Sequence, residues 1–171
     1  LSERDPQRSS SGNYGVQDQR MALRWARSNA AAFGGDPSRL TMFGQSAGAG
    51  AVSAHLVMPA SHGAFDGAMM ESGGFSNWAA RAWAVAESTY DALAQATGCR
   101  GAAQGEDRCL LELDALALAN ASILSHEMNN VPNCNPNVCC RWGPTVDGVE
   151  LAAHVQRLGL EGKVADVPIV A

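Results

Sequence analysis

The sequence has neither a long apolar run nor an apolar leader. No segment of the 171 residues reaches the roughly 18 consecutive apolar positions that a membrane-spanning helix needs. The opening residues, LSERDPQRSS, lack the apolar core of a signal peptide. Because the chain starts on Leu1 and stops within the apolar run VPIVA, we expect it to be an internal piece of a longer protein.

Concentrated positive charge is also missing. The net charge of −5 is spread over mixed acidic and basic residues, without the basic stripe that nucleic-acid binding requires. Neither cysteine cluster has the C-x-x-C spacing or the nearby His of a zinc site. The composition therefore argues against a nucleic-acid partner and predicts no metal, while 46% hydrophobic residues are enough to build a core.

The five cysteines fall into two clusters. Cys99 and Cys109 enclose a stretch rich in glycine and charge, which a disulfide could close. The others, in a second loop-like stretch, are Cys134, Cys139 and Cys140. Since the number is odd, at least one cysteine has no intramolecular partner. From the residues alone, disulfides and free thiols both stay open.

Helical periodicity dominates the first part of the chain. Residues 16–33 predict a helix with Met21, Trp25 and Phe33 on the face that contacts the core. Arginines, beginning with Arg20, lie on the opposite face. Two glycines and a proline at 34–37 end this helix.

Short apolar runs predict a parallel sheet. Residues 40–43 and 67–71 read as buried strands, the first covered on both faces, and residues 167–171 as a third. Between the first two, small apolar residues predict a buried helix that ends at Pro59. Further helices are predicted at 82–97 and 108–127, with a loop-rich region beyond Pro132. This alternation predicts an α/β fold.

A serine lies between glycines directly after the first strand, in the sequence GQSAG of residues 44–48. A buried strand, a tight turn carrying a serine and an immediate helix are the context of a nucleophile elbow. Such a turn exposes the hydroxyl and points the next backbone N–H at the developing oxyanion. The alternative is a glycine-rich turn with an ordinary serine, for instance one that cradles a phosphate.

Several motifs in the same order resemble the type-B carboxylesterase and cholinesterase family, which has the α/β-hydrolase fold. They are GNYGVQDQRMALRWARSNAAAFGGDPSRLTMFGQSAG at 12–48, ESGG at 71–74, the loop from Cys99 to Cys109, RWGPTVDGV at 141–149 and ADVPIV at 165–170. The resemblance covers nearly the whole chain. It implies a single, partial α/β-hydrolase domain over residues 1–171, truncated at both ends.

The resemblance also assigns site residues. It implies that Ser46 is the nucleophile, that the N–H of Ala47 is one oxyanion donor, and that four residues support the turn: Gly44, Gln45, Gly48 and Ser72. It implies hydrolysis of a small-molecule carboxylic ester through an acyl-enzyme, with no cofactor and no metal. A Cys99–Cys109 disulfide is implied as well, and with it a secreted or lumenal protein.

Two departures from the family pattern matter. Gln45 stands where the family usually has Glu, which keeps the shape but loses the charge. The Gly-rich oxyanion loop is expected before residue 1, and the acid and the His of the triad after residue 171. We expect structural or surface roles for the histidines that the chain does hold: His55, His62, His126 and His154.

A second functional interpretation is a non-catalytic, cholinesterase-like adhesion or binding domain, since one fold serves several functions. The retained Ser46 favours the enzyme, and Gln45 leans the other way. The roles of two further residues stay open. Trp78 is either an acyl-pocket residue or a core tryptophan, and Asn120 begins the glycosylation sequence Asn-Ala-Ser. The sequence predicts no oligomeric state.

Overall fold

The computed structural model of the protein describes residues 12–128 and 142–171. Residues 12–82 and 143–171 pack into one unit, the sheet unit, and residues 83–128 with Trp142 into another, the helical unit. The strands all lie in the sheet unit among the described residues. Cys134, Cys139 and Cys140 fall outside the described residues. The single domain expected over 1–171 stays a prediction.

The sheet consists of parallel strands in the order β1-β2-β3, which are β1 (Thr41–Gln45), β2 (Gly67–Glu71) and β3 (Ile169–Val170). The register pairs Thr41 with Gly67 and Gln45 with Glu71. The predicted strand at 67–71 is confirmed to its ends. β1 is shifted toward the serine relative to the predicted 40–43, because its pairing with β2 continues as far as Gln45.

Burial of β1 differs from the prediction. Met42 is buried in a cluster with residues of the following helix, whereas Phe43 is 71% exposed. Side chains of a strand alternate between the two faces. In the described part of the chain, Phe43 is therefore largely uncovered, and the expectation of a first strand covered on both faces is wrong at this residue.

Helix α1 (Tyr14–Asn29) is followed by a 3₁₀ turn, Ala30–Phe33. The predicted helix is confirmed but its predicted orientation is wrong. Met21, Trp25 and Phe33 are exposed, and Arg20 is buried together with Val16. Arg20 forms an ion pair with Glu150, in which both side chains are largely shielded from water. A charge can be buried when a partner of opposite sign neutralises it, and this pair explains the reversal.

Helix α2 (Ala47–Val57) is buried along most of its length, as predicted. One side of it packs in a cluster with Met58, Leu151 and Val155. The other side packs in a cluster with Met42, Phe65 and β2 residues. Because it contacts core on both sides, α2 is apolar all round and built of small residues, as buried helices are. The strand before it and the turn between them are thus attached to a helix with little freedom to move.

A buried histidine joins α2 to its neighbours. The His55 ring is 1% exposed, and its nitrogens lie 2.9 Å from Ser61 Oγ and 3.1 Å from Gln19 Oε1. Burial, and then the positive charge of Arg20, lower the pKa of His55 to about 4. The ring is therefore neutral at pH 7 and acts as a hydrogen-bonded core residue, as expected from the sequence.

The start of α2 comes very close to β1. A Cβ added to Gly44 would lie 2.4 Å from the carbonyl carbon of Gly48, which is backbone and cannot rotate away. A Cβ added to Gly48 itself would meet nothing within 4 Å. The two glycines of the serine motif therefore differ. A side chain at position 44 would clash with the backbone of α2, whereas position 48 has room for one.

The ends of the sheet unit are joined by a polar contact. Asn13 adopts a left-handed conformation (φ 55°) and donates from Nδ2 to Asp147 Oδ2 (2.8 Å) and to the Thr145 carbonyl (2.9 Å). Its Oδ1 accepts from the Thr145 backbone N–H at 2.8 Å. Residue 13 is thus tied to a segment more than a hundred residues later in the sequence, which gives Asn13 a structural role.

The helical unit contains α3 (Trp83–Ala96), α4 (Glu106–Leu111) and α5 (Ala115–Met128). A disulfide joins Cys99 and Cys109 across the loop between α3 and α4, which confirms the implied pairing. The single helix predicted at 108–127 is wrong, because Asp114 divides it. Its carboxylate accepts from the backbone N–H groups of Leu116 and Ala117, which caps a new helix.

One helix lies in a region predicted to be loop-rich. Helix α6 (Val155–Leu160) begins at His154, whose Nδ1 accepts from the Gln156 backbone N–H at 3.3 Å. Val155 and Leu158 are buried against α2. Among the described residues, no helix is both long and apolar enough to cross a membrane.

The contrast between Gly44 and Gly48 predicts stability changes of opposite sign. Gly44→Ala is expected to lower the free energy of unfolding by about 3 kcal/mol, since the added methyl overpacks against backbone. Gly48→Ala, the matched control four residues away, is expected to raise it by about 0.5–1 kcal/mol through the gain in helix propensity. Urea unfolding followed by circular dichroism measures both. Equal effects of the two variants would contradict this account of the close approach.

The buried His55 predicts that stability falls as the pH drops from about 6.5 to 4. In this range the unfolded state takes up a proton at the histidine and the folded state does not, so the free energy of unfolding decreases by about 3 kcal/mol. Urea titrations at steps of pH test this. His55→Gln should abolish this dependence of the unfolding free energy on pH. The control His154→Gln, which replaces a half-buried histidine, should retain it. If His55→Gln keeps the same pH dependence, the buried His55 is not the group that causes it.

Candidate active site

Ser46 occupies the turn between β1 and α2, where the sequence places it. Its backbone angles are φ 52° and ψ −116°, a region that non-glycine residues rarely adopt. Holding a residue there costs about 1–3 kcal/mol, and such strain persists only where the surrounding structure imposes it. The turn therefore has the strained strand-to-helix geometry of a nucleophile elbow.

Backbone hydrogen bonds hold this turn on both sides. The Ser46 N–H donates to the carbonyl of Glu71 at the end of β2, at 2.8 Å. The Ser46 carbonyl accepts from the Gly50 N–H at 3.0 Å, which begins the ladder of α2. The strand pairing and the helix thus fix the same residue, and they supply the constraint that its conformation requires.

The side chain of Ser46 is accessible. Gln45, Ser46 and Ala47 are all exposed, and none of the described residues forms a hydrogen bond with the Ser46 hydroxyl. Ala47 is the first residue of α2, so its N–H belongs to the helical turn whose donors have no partner within the helix. Together they present a free hydroxyl beside backbone donors at the positive end of a helix.

A second serine turn lies at the end of the neighbouring strand. Ser72 follows β2 directly, is exposed and has φ 57°. Because Gln45 pairs with Glu71, the turns at Ser46 and Ser72 leave adjacent parallel strands at the same edge of the sheet. Residues at the carboxyl ends of neighbouring parallel strands are brought together in this way. The site residues predicted at 44–48 and Ser72 thus share one region.

The Trp78 indole lies next to this region. A Cβ added to Gly73 would come within 2.6 Å of Trp78 Cζ2 and 3.1 Å of the Ser46 carbonyl oxygen. A Cβ added to Gly50 would come within 2.9 Å of Trp78 Cζ3. The ring therefore rests on two glycines, one of them between it and the serine turn. Sequence reasoning missed both glycines; the only signal was the abundance of small residues around Ser46.

The described histidines are engaged elsewhere. His55 contacts Ser61 and Gln19, His62 Nε2 lies 3.1 Å from the Leu56 carbonyl, and His154 Nε2 lies 3.0 Å from the Asn77 carbonyl. The side chain of His126 lies outside the described part. Within the described ranges, no cluster of His, Cys, Asp or Glu could hold a metal ion. Ser46 thus has no acid–base partner among the described residues.

Solved esterase structures share the fold of this chain. The carboxylesterase EST55 of Geobacillus stearothermophilus at pH 6.8 superimposes with a TM-score of 0.77 and 33% identity, over 94% of this chain and 32% of that one. A thermophilic PNB esterase gives a TM-score of 0.79 and 33% identity, over 99% of this chain and 32% of the other. The chain therefore has part of an α/β-hydrolase fold, as predicted.

Curated relatives are similar in sequence. The cholinesterase of Mus musculus is 38% identical over 161 residues, which are 93% of this chain and 26% of that protein. The juvenile hormone esterase of Tribolium castaneum is 42% identical over 115 residues, 65% of this chain and 20% of that protein. The chain thus spans about a quarter of the length of the curated relatives it matches.

The sequence pattern of one protein family matches the whole chain. The carboxylesterase family matches residues 1–171, including the serine turn, the ESGG turn and the Cys99–Cys109 loop. The geometry at Ser46, the solved structures and the relatives agree with this match. The chain belongs to the carboxylesterase family.

Proposed function

We propose that the protein hydrolyses carboxylic esters, with Ser46 as the nucleophile. The observation that carries the proposal is an exposed serine with φ 52°, held between a strand and a helix by hydrogen bonds from both. Its combination of φ 52° with ψ −116° persists only where the surrounding structure imposes it, as it does at a nucleophile elbow. Membership of the carboxylesterase family supports the same reaction class.

The reaction follows from what each group can do. The Ser46 oxygen attacks the ester carbonyl while a base takes its proton, and the carbonyl electrons move onto oxygen. The resulting oxyanion accepts a hydrogen bond from the Ala47 N–H. The intermediate collapses, the alcohol leaves with a proton, and Ser46 is acylated. Water then attacks the acyl group by the same route and releases the acid.

The remaining machinery is proposed to come from outside these 171 residues. The base, the acid that orients it and the Gly-rich oxyanion loop are implied by the family resemblance, and Ser46 has no such partner among the described residues. The matched segment is only 26% of the cholinesterase and 20% of the juvenile hormone esterase. The activity is therefore proposed for the longer protein, while the 171 residues by themselves are expected to give no acyl burst.

Four residues are proposed to support Ser46. Gly44 lets α2 approach β1, and Gly48 forms the first turn of the helix. Ser72 follows the neighbouring strand end, where its hydroxyl is available for hydrogen bonding. Gln45 is exposed beside the nucleophile and contributes a neutral amide where a carboxylate would add negative charge near a protonated base.

The substrate class proposed is a small-molecule carboxylic ester, without a cofactor. The relatives include a cholinesterase and a juvenile hormone esterase, and this range supports the class of ester and no single member of it. A location in the secretory pathway or outside the cell is proposed as well. The Cys99–Cys109 disulfide supports it, because disulfides persist in oxidising compartments.

The proposal predicts that a fluorophosphonate labels Ser46 in the protein isolated from its native source. The reagent reacts only with a serine activated by a base. Peptide mapping should place the adduct on Ser46, in a species heavier than 17.8 kDa. Ser46→Ala in the same longer protein should lose the label, and Ser88→Ala, a serine on α3, should keep it.

Two results would contradict the proposal. A longer protein that folds but takes no label would favour the adhesion or binding function. A label that persists in Ser46→Ala would show that another residue is the nucleophile.

The contact between Trp78 and Gly73 predicts a loss of reactivity without loss of the fold. Gly73→Ala pushes the indole or the Ser46 carbonyl away, and a shift of about 1 Å at a nucleophile costs on the order of 10²-fold in rate. The labelling rate of the longer protein measures the change. Gly143→Ala is the matched control, since its Cβ would meet Arg81 Nε at an ordinary 3.5 Å. Equal labelling rates in both variants would disprove a positioning role for this contact.

A further inference from the structure

One exposed face of α5 combines a glycosylation sequence with large apolar side chains. Leu116, Asn120 and Ile123 are four and three residues apart, a spacing that puts them on the same side of a helix. We call this set the α5 face. Leu116 is 69% exposed, Ile123 is 66% exposed, and Asn120 between them is exposed too. Ala121, which points the other way, is 7% exposed.

The sequence around Asn120 has the form that oligosaccharide transfer requires. Asn120-Ala121-Ser122 is the only Asn-X-Ser/Thr sequence in the 171 residues. The Asn120 side chain has no hydrogen-bonding partner among the described residues. The Ser122 hydroxyl accepts from the Trp142 indole N–H at 2.7 Å, so the third residue of the sequence is held in the fold.

We propose that Asn120 carries an N-linked glycan and that the glycan covers the α5 face. The donor is a lipid-linked oligosaccharide diphosphate. Asn120 Nδ2 forms a bond to C1 of the first sugar while the bond from C1 to the diphosphate oxygen breaks. The bonding electrons leave with the diphosphate, and one amide proton passes to a base of the transferase.

The fold is compatible with this modification. A glycan is bulky and hydrophilic, so a folded protein tolerates it only at a surface position, and Asn120 is at one. The Cys99–Cys109 disulfide lies in the same helical unit and needs the oxidising compartment that also supplies the transferase. The proposal thus rests on the proposed secretory location and does not depend on catalysis at Ser46.

The glycan also accounts for the apolar character of the α5 face. Exposed side chains as large as Leu116 and Ile123, two turns apart on the same side of one helix, favour association with other apolar surfaces. A hydrophilic oligosaccharide attached between them shields both. This links the position of the glycosylation sequence to the residues that flank it.

The first experiment measures occupancy. The longer protein is directed into the secretory pathway of cultured mammalian cells, and total cell protein is analysed so that secretion is not required. Peptide-N-glycosidase treatment in ¹⁸O water should lower the mass and leave a labelled Asp at position 120. An unmodified Asn120, while a reference glycoprotein from the same cells is modified, would overturn the proposal.

Matched variants separate the sequence requirement from effects on folding. Asn120→Gln and Ser122→Ala should both abolish the glycan. Ser122→Thr keeps a hydroxyl at the same place and should retain it. If Ser122→Ala keeps the glycan, or if Ser122→Thr loses it, the modification is not the one proposed.

A second experiment tests the shielding. Light scattering at increasing concentration compares the glycosylated longer protein with its Asn120→Gln variant, which should associate at lower concentration. Adding Leu116→Gln and Ile123→Gln to Asn120→Gln should restore the dispersed behaviour. Equal association of the glycosylated longer protein and Asn120→Gln would show that the glycan does not cover this face.

Discussion

The close approach of β1 to the first turn of α2 is the constraint on which the rest of the site depends. Gly44 has no side chain, and so the helix can begin directly after the strand, with the backbone of Gly48 against it. A chain that turns within so short a distance forces Ser46 into a positive φ. The hydrogen bond from Ser46 to the Glu71 carbonyl then ties this turn to the next strand. Exposure of the hydroxyl is a consequence of packing behind it.

Two buried polar side chains beside α2, Arg20 and His55, contact polar side chains of other segments. The Arg20 guanidinium faces Glu150, and the His55 ring is held between Ser61 and Gln19. An unpaired polar group at such depth would cost more free energy than its hydrogen bond contributes. These contacts join α1, α2 and the segment before α6 in one arrangement, which keeps the helix behind the serine from shifting.

Local patterns predicted much of this structure, and distant partners explain what they missed. β2 and α2 were predicted because each is an apolar segment bounded by turn residues. The buried face of α1 was predicted wrongly, because Arg20 is buried by an ion pair with a residue 130 positions away. The helical periodicity of α1 carries no information about such a distant partner. Asp114 divided a predicted helix by capping its backbone, and α6 is too short to show a period. The serine turn was predicted from its motif, whereas the glycines beneath Trp78 depend on contacts made only in the folded chain.

The exposed Phe43 side chain and the outer position of β1 affect how molecules of this chain associate in solution. β1 is an outer strand of the described sheet, and its free edge offers unpaired backbone groups beside an exposed aromatic ring. An uncovered edge of this kind is a template for strand addition between molecules. Wherever these 171 residues are handled alone, association should therefore begin edge to edge at β1. Its rate should rise with protein concentration and fall when a charged residue replaces Phe43.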